Sequence, residues 1–193
     1  MQRSDIIQAA ATIFREKGYH ATSMQDIAAA VHLQKASLYH HVTSKQDILF
    51  TILEQSLDLL IADIQDVLNS PAPPQEKLRM AMQRYMERLS GDTDLAAVLL
   101  LEHRSLEQDL RIKHIARRDR YEALWRLIVQ EGVDKGVFRR VDVPVTTFAI
   151  LGVQNWMITW FRKNGRLNVD DVVDQFYRLF LQALTPVEDL PCG

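Results

Sequence analysis

Apolar residues recur every three or four positions along almost the whole chain, and no stretch alternates strictly between paired turn signals. The pattern predicts an all-α protein of about nine helices. A first helix spans about Asp5 to Lys17, with Ser4 as N-cap, an apolar face of Ile6, Ile7, Ala10, Ile13 and Phe14, and Gly18 as its stop. Ser23 and Asp26 form a capping pair for a short second helix ending near Val31. A third covers about Lys35 to His41, and a second such pair, Ser44 with Asp47, opens a long fourth carrying Ile48, Leu49, Ile52, Leu53, Leu57, Leu60, Ile61, Ile64 and Leu68. The segment Ser70-Pro71-Ala72-Pro73-Pro74 ends it. Further helices are predicted at about Gln75 to Leu89, Asp94 to His103, Leu106 to Lys135 with Gly136 as stop, Val145 to Lys163, and Val169 to Leu184 with Asn168 as N-cap. Short helices in front of long ones imply a small head, residues 1–47, on a larger bundle, 48–185, with a loose tail, 186–193.

Composition narrows the classes. With 193 residues, 47% of them hydrophobic, the chain can bury a real core. No run approaches the roughly 20 apolar residues of a membrane helix, and the N-terminus lacks the basic flank and cleavage site of a signal peptide, so a cytoplasmic protein with no membrane partner is expected. Cys192 is the single cysteine, which excludes a disulfide within the chain and a cysteine metal site. His32, His40 and His41 have no carboxylate or thiolate to complete a metal site. Neither a metal nor a cofactor is expected. Basic and acidic residues number 23 and 25, with the head at +1 and the remainder at −3, a balance that permits a local nucleic-acid surface without a polyelectrolyte binder. No acid/base or nucleophile constellation converges anywhere, so an enzyme is not expected.

The informative stretch is Ala21 to Leu49, where two helices of about two turns flank a turn at His32. Ile27, Ala28, Val31, Leu33 and Leu38 clamp the pair, leaving Gln34, Lys35, Ser37, Tyr39 and His40 outward, hydrogen-bonding types suited to a major groove. Thr22, Ser23, Ile27, Ala28, Leu33, Leu38, Tyr39, His41, Ser44, Lys45, Asp47 and Leu49, with Phe14 and Gly18 upstream, stand where the TetR family of helix-turn-helix regulators carries its head motif. The segment therefore resembles that family. Departures are His32 for a turn glycine, Ala36 for a second glycine, Val42 for phenylalanine and Gln34 for a capping serine. Histidine is among the residues that tolerate positive φ.

The resemblance assigns Ser23, Tyr39, His40 and Lys45 to phosphate contacts and puts Gln34, Lys35 and Ser37 nearest the base edges. Lys45 also lies in the first turn of the fourth helix, where free N–H groups and the dipole favour an anion. Two plainer readings stand beside these: Tyr39 as a packing ring with a solvated hydroxyl, and His40 with His41 as a solvated pair. One head makes few phosphate contacts, so a two-fold homodimer on a palindromic operator is expected, with heads roughly 34–36 Å apart.

In the body, Ala149, Gly152, Trp156 and Trp160 on one late helix and Val173, Phe176 and Phe180 on the next are the expected dimer surface, the alternative being a filled protomer core. Tyr85, Met86, Leu99, Glu102, His103, Arg118, Tyr121, Trp125, Gln154, Asn155, Ile158 and Phe161 are the expected lining of an effector pocket. Glu102-His103-Arg104 reads either as a helix end meeting solvent or as a ligand anchor. Lys113, His114, Arg117, Arg118 and Arg120 read either as a solvated face or as a phosphate clamp for coenzyme A. The second reading draws on a weaker resemblance. Gly136-Val137-Phe138, Asn155-Trp156, Trp160-Phe161 and Gly165-Arg166-Leu167 look like the C-terminal region of TetR relatives that respond to acyl-CoA. The two resemblances together imply a repressor that a small-molecule effector releases from operator DNA; a member of the same class that binds no small molecule, or that activates instead, is the alternative.

Overall fold

A computed structural model describes residues 2–186, all helix and connection with no strand among them; Cys192 and the rest of the expected tail beyond Pro186 lie outside the described residues. The elements are α1 (Arg3–Lys17), α2 (Met24–Ala30), α3 (Lys35–Leu38), α4 (Lys45–Asn69), α5 (Pro74–Gly91), α6 (Thr93–Leu101), a 3-10 turn (His103–Ser105), α7 (Gln108–Asp134), α8 (Val143–Asn155), α9 (Met157–Trp160) and α10 (Val169–Leu184). The eighth expected helix is present but broken at Trp156, which separates α8 from α9. Ser4 lies inside α1 rather than capping it, because the Asp5 carboxylate accepts from the Gln2 N–H at 2.8 Å and moves the helix start upstream.

The chain divides into two compact units. The first holds residues up to Leu59 together with Gly91–Asp119. Its core is apolar residues of five helices: Ile6, Ile7, Ala10 and Phe14 of α1, Ile27 and Ala28 of α2, Leu38 of α3, Ile48, Leu49, Ile52 and Leu53 of α4, and Val98 of α6. Polar contacts seat α6 on α1. Thr12 donates to Asp94 at 2.7 Å, Gln8 to Asp92 at 2.8 Å, and Arg15 pairs with Asp94. Spatially, α6 and the front of α7 thus group with the helices of the head.

The second unit holds Leu60–Ser90 and residues from Arg120 onward. Trp125, Leu78, Met82, Met86, Ile128, Val129, Phe138, Ile150 and Val172 are its buried centre. The end of α7 is closed by a glycine pair. Gly136 takes φ +69°, while the Gly132 carbonyl accepts from the N–H groups of Val137 and Phe138 at 3.0 and 2.9 Å. The Phe138 ring then lies against Gly132, so close that a Cβ there would sit 2.0 Å from a ring carbon. Arg139 caps α10 from outside, its N–H reaching the Leu184 carbonyl at 2.7 Å and its Nε the Ala183 carbonyl at 2.6 Å.

Candidate functional site

In the head, the helix-turn-helix geometry follows from its caps. Ser23 Oγ accepts from the Asp26 N–H at 3.1 Å, and the Asp26 carboxylate accepts from the Ser23 N–H at 2.8 Å. The Ser23 hydroxyl donating to the carboxylate, then the Ser23 N–H and Lys17, hold the Asp26 carboxyl down to about 2. His32 takes φ +54°, the left-handed turn that the missing glycine left in question. Leu38 and Val42 are buried, so the smaller valine still plugs the head core. Gln34, Lys35, Tyr39, His40 and His41 are exposed, and Tyr39 keeps 47% of its surface free. Ser37 is half-buried. Gln34, Lys35, Tyr39 and His40 are therefore accessible on and beside α3.

Two of the expected phosphate residues have other work. The Ser23 hydroxyl donates to Asp26 at 2.6 Å and belongs to the cap. Lys45 turns inward, donating to the Tyr19 and Thr22 carbonyls at 2.7 and 2.6 Å with its ammonium 4.3 Å from the Tyr19 ring centre. Two of the three Lys45 N–H bonds are thus directed at backbone carbonyls that the α1–α2 turn leaves open, a structural role beside the expected phosphate contact. Neighbouring residues do similar work. Asp47 accepts from the Thr43 N–H at 2.9 Å and pairs with Arg3 at 3.1 Å, while Gln46 bridges to the segment after α6.

The expected effector residues fall into both units. In the second unit Tyr85, Tyr121 and Trp125 form a triangle of rings with centroids 6.0–6.4 Å apart, and the Tyr85 hydroxyl donates to Asn155 Oδ1 at 2.5 Å. Burial pushes the Tyr121 phenol well above its ordinary range. With Leu60, Ile64 and Ala81 these rings enclose about 10 Å³, room for one water. Met86 and Gln154 are buried, and Ile158 and Phe161 half-buried. Trp125 Nε1, Thr147 Oγ1 and Gln154 Oε1 are buried with no protein partner. A separate groove of about 730 Å³ along α5 is lined by charges such as Arg79 and Arg84, each already paired with an aspartate.

In the first unit Leu99 is buried, Arg118 exposed, and Glu102 and His103 half-buried. The Glu102 carboxylate accepts from the Tyr19 N–H at 3.3 Å and the Ser105 hydroxyl at 3.0 Å. His114, read as a clamp cation, is fully buried at 3.3 Å from Glu54, and desolvation with Arg118 and Arg117 nearby pulls its pKa to about 4. It is a neutral core imidazole. Arg117 pairs with Glu54 and Asp58.

On α8, α9 and α10 an apolar face is open. Phe148, Trp156, Trp160 and Leu179 are 54, 66, 40 and 63% exposed, and Ala149 and Gly152 lie open beside them. Phe176 and Phe180 are half-buried. Val173 is fully buried and belongs to the core instead, since its turn of α10 faces inward with Val172. Leu179 and Val145 are also exposed on these helices; each stands beside other apolar residues in the chain, so the apolar run alone does not tell which of them faces outward.

Residues 6–52 match the family "Bacterial regulatory proteins, tetR family", and residues 71–184, more than half the chain, match "Tetracyclin repressor-like, C-terminal domain". The chain belongs to the TetR family of transcriptional regulators. Among solved structures it is similar to the TetR-family regulator PfmR of Thermus thermophilus, at 40% identity and TM-score 0.85, covering 92% of this chain and 97% of that one. It is similar to AibR in complex with isovaleryl coenzyme A and operator DNA, at 30% identity and TM-score 0.84, covering 97% and 100%. Among curated relatives, the repressor KstR2 of Mycobacterium tuberculosis (strain ATCC 25618 / H37Rv) is 27% identical over 187 residues, 95% of this chain and 93% of its own. Within this TetR-family chain, no helix of the described residues is long and apolar enough to cross a membrane.

Proposed function

We propose that this regulator is a homodimeric repressor that reads a palindromic operator and is released by a coenzyme A ester. The observation that carries the DNA-reading half is the exposure of Gln34, Lys35, Tyr39 and His40 on and beside α3, next to an α2 capped by Ser23 and with Leu38 buried beneath. Gln34 and Lys35 lie at the N-terminus of α3, where a recognition helix meets base edges; Tyr39 and His40 lie beyond its C-terminus, within reach of phosphates. A single head of this size binds weakly. The apolar face of Phe148, Trp156, Trp160 and Leu179 supports a two-fold partner that doubles the contacts.

For the effector, the Tyr85–Tyr121–Trp125 triangle with Asn155 offers apolar walls and a few polar anchors, the composition of a ligand site. Its small volume means that rings must move to admit an acyl group, so binding selects a second arrangement. The solved relative that holds isovaleryl coenzyme A and operator DNA supports this chemical class. The chain's role is binding rather than catalysis.

Gel shifts on DNA from around the gene's own promoter test the reading, comparing wild type with Tyr39→Ala. A specific shift that the variant loses is expected; no specific shift with either protein contradicts it. Thermal melting with isovaleryl and palmitoyl coenzyme A tests the effector class, and no stabilisation by either at near-saturating ligand discards it.

A further inference from the structure

The second residue of α4 joins two segments that are far apart in sequence. The Gln46 side-chain amide donates to the Ser105 carbonyl at 2.9 Å, and its Oε1 accepts from the Glu107 N–H at 3.1 Å. Those two backbone groups flank buried Leu106 and stand at the start of α7. A helix start leaves N–H groups without partners of its own, and Gln46 answers one of them from another helix. The same corner is tied to the head a second time. Glu102 accepts from the Tyr19 N–H at 3.3 Å and from Ser105 Oγ at 3.0 Å, and Ser105 Oγ lies 3.3 Å from His20 Nε2.

On either side of Gln46, Lys45 grips the α1–α2 turn and Asp47 grips Arg3. One turn of α4 therefore holds both the head and the start of α7. Helix α7 runs unbroken from Gln108, next to Glu107, to Asp134 and carries Tyr121 and Trp125.

We propose that Gln46 is the positioning residue through which the occupancy of the aromatic site on α7 reaches the DNA-reading head. The inference rests on the proposed effector site. A ligand that spreads Tyr121 from its neighbours shifts or tilts α7; a rigid helix carries that displacement to its first residue, where Gln46 passes it to α4. Only an amide serves both bonds, because the site needs one donor for a carbonyl and one acceptor for an N–H. Methionine matches the length and does neither. Glutamate keeps the acceptor, loses the donor, and places charge beside the Ser105 carbonyl.

Operator affinity measured by fluorescence anisotropy, with and without isovaleryl or palmitoyl coenzyme A, tests this in full-length protein. Allosteric coupling spans about 5- to 150-fold, and wild-type release is expected in that range. Gln46→Met should bind free operator within about threefold of wild type, bind the coenzyme A ester as tightly by calorimetry, and lose most of the release; Gln46→Glu should fall between. A parallel cycle needs no effector: Trp125→Phe, which reshapes the triangle, should change operator affinity in wild type and not in the Gln46→Met background. Equal release in wild type and both variants, or an additive cycle, overturns the inference. If neither ester releases wild type while the cycle is non-additive, the effector class fails and the role of Gln46 stands. If Gln46→Met does not fold, Gln46→Glu carries both measurements.

Discussion

The Lys45 ammonium lies 2.7 Å from the Tyr19 carbonyl oxygen and 4.3 Å from the centre of the Tyr19 ring. A cation at a helix start facing DNA would ordinarily be assigned to a phosphate; this one holds the turn between α1 and α2 in place. The two roles differ in salt dependence. Each phosphate contact on duplex DNA adds about 0.9 to the slope of log affinity against log salt. Lys45→Met should therefore weaken operator binding with the slope unchanged, whereas a slope reduced by about 1.8 for a dimer would mean that Lys45 does reach the backbone.

Gln34 stands at the N-terminus of α3 with its amide exposed. Gln34→Ala should relax base preference at one position of each half-site, at a cost of about 1–3 kcal/mol against the preferred base only. Binding measured across all four bases at each position checks this. Uniform weakening across sequences would place Gln34 on a phosphate.

His114 contributes a pH-dependent term to stability. Its folded pKa is lowered to about 4 from an ordinary 6.5, so the unfolded chain binds the proton more readily. The contribution is full above pH 6.5 and declines as pH falls through that value to about 4, below which both states are protonated. Glu54, pushed up by burial, acts in the opposite sense. The difference between wild type and His114→Asn isolates the imidazole: the wild-type melting temperature should fall more steeply than the variant's between pH 6.5 and 4. Parallel profiles would show that His114 is accessible to protons in the folded protein.

Gly132→Ala would ordinarily strengthen a helix by roughly 1 kcal/mol. Here the added carbon meets the buried Phe138 ring. The substitution should instead destabilise by about 1–3 kcal/mol in urea unfolding. Pairing it with Phe138→Leu should recover part of the loss, and a stabilised Gly132→Ala would mean that the ring moves aside freely.

Sequence patterning carries the head well because its signals are local. The Ser23–Asp26 pair, the glycine stops and the spacing of Ile27, Ala28 and Leu38 act within a few residues of one another, and the structure has each in place. Longer-range arrangements are not legible. Nothing near Lys45 in the chain announces that the Tyr19 and Thr22 carbonyls, more than twenty residues earlier, need a donor. Likewise Gln46 carries no signal until α7 begins beside it, and the grouping of residues 91–119 with the head depends on Asp92 and Asp94 meeting Gln8, Thr12 and Arg15. Helical periodicity also does not tell which apolar turn of α10 faces inward, so buried Val173 reads as surface and exposed Leu179 passes without notice.

The apolar face of α8 to α10 should be the dimer contact. Trp156→Glu with Leu179→Glu should give a folded monomer by sedimentation equilibrium, with operator affinity reduced by roughly a hundredfold or more; a dimer that survives both charges would move the interface elsewhere.

Everything rests on two identical heads reading one symmetric duplex. Selection of bound sequences from a random DNA pool tests it most directly. An enriched inverted repeat is expected, with half-site centres about 10 base pairs apart or slightly more. A pool with no enriched sequence, or with a single asymmetric site bound by one protomer, would contradict it.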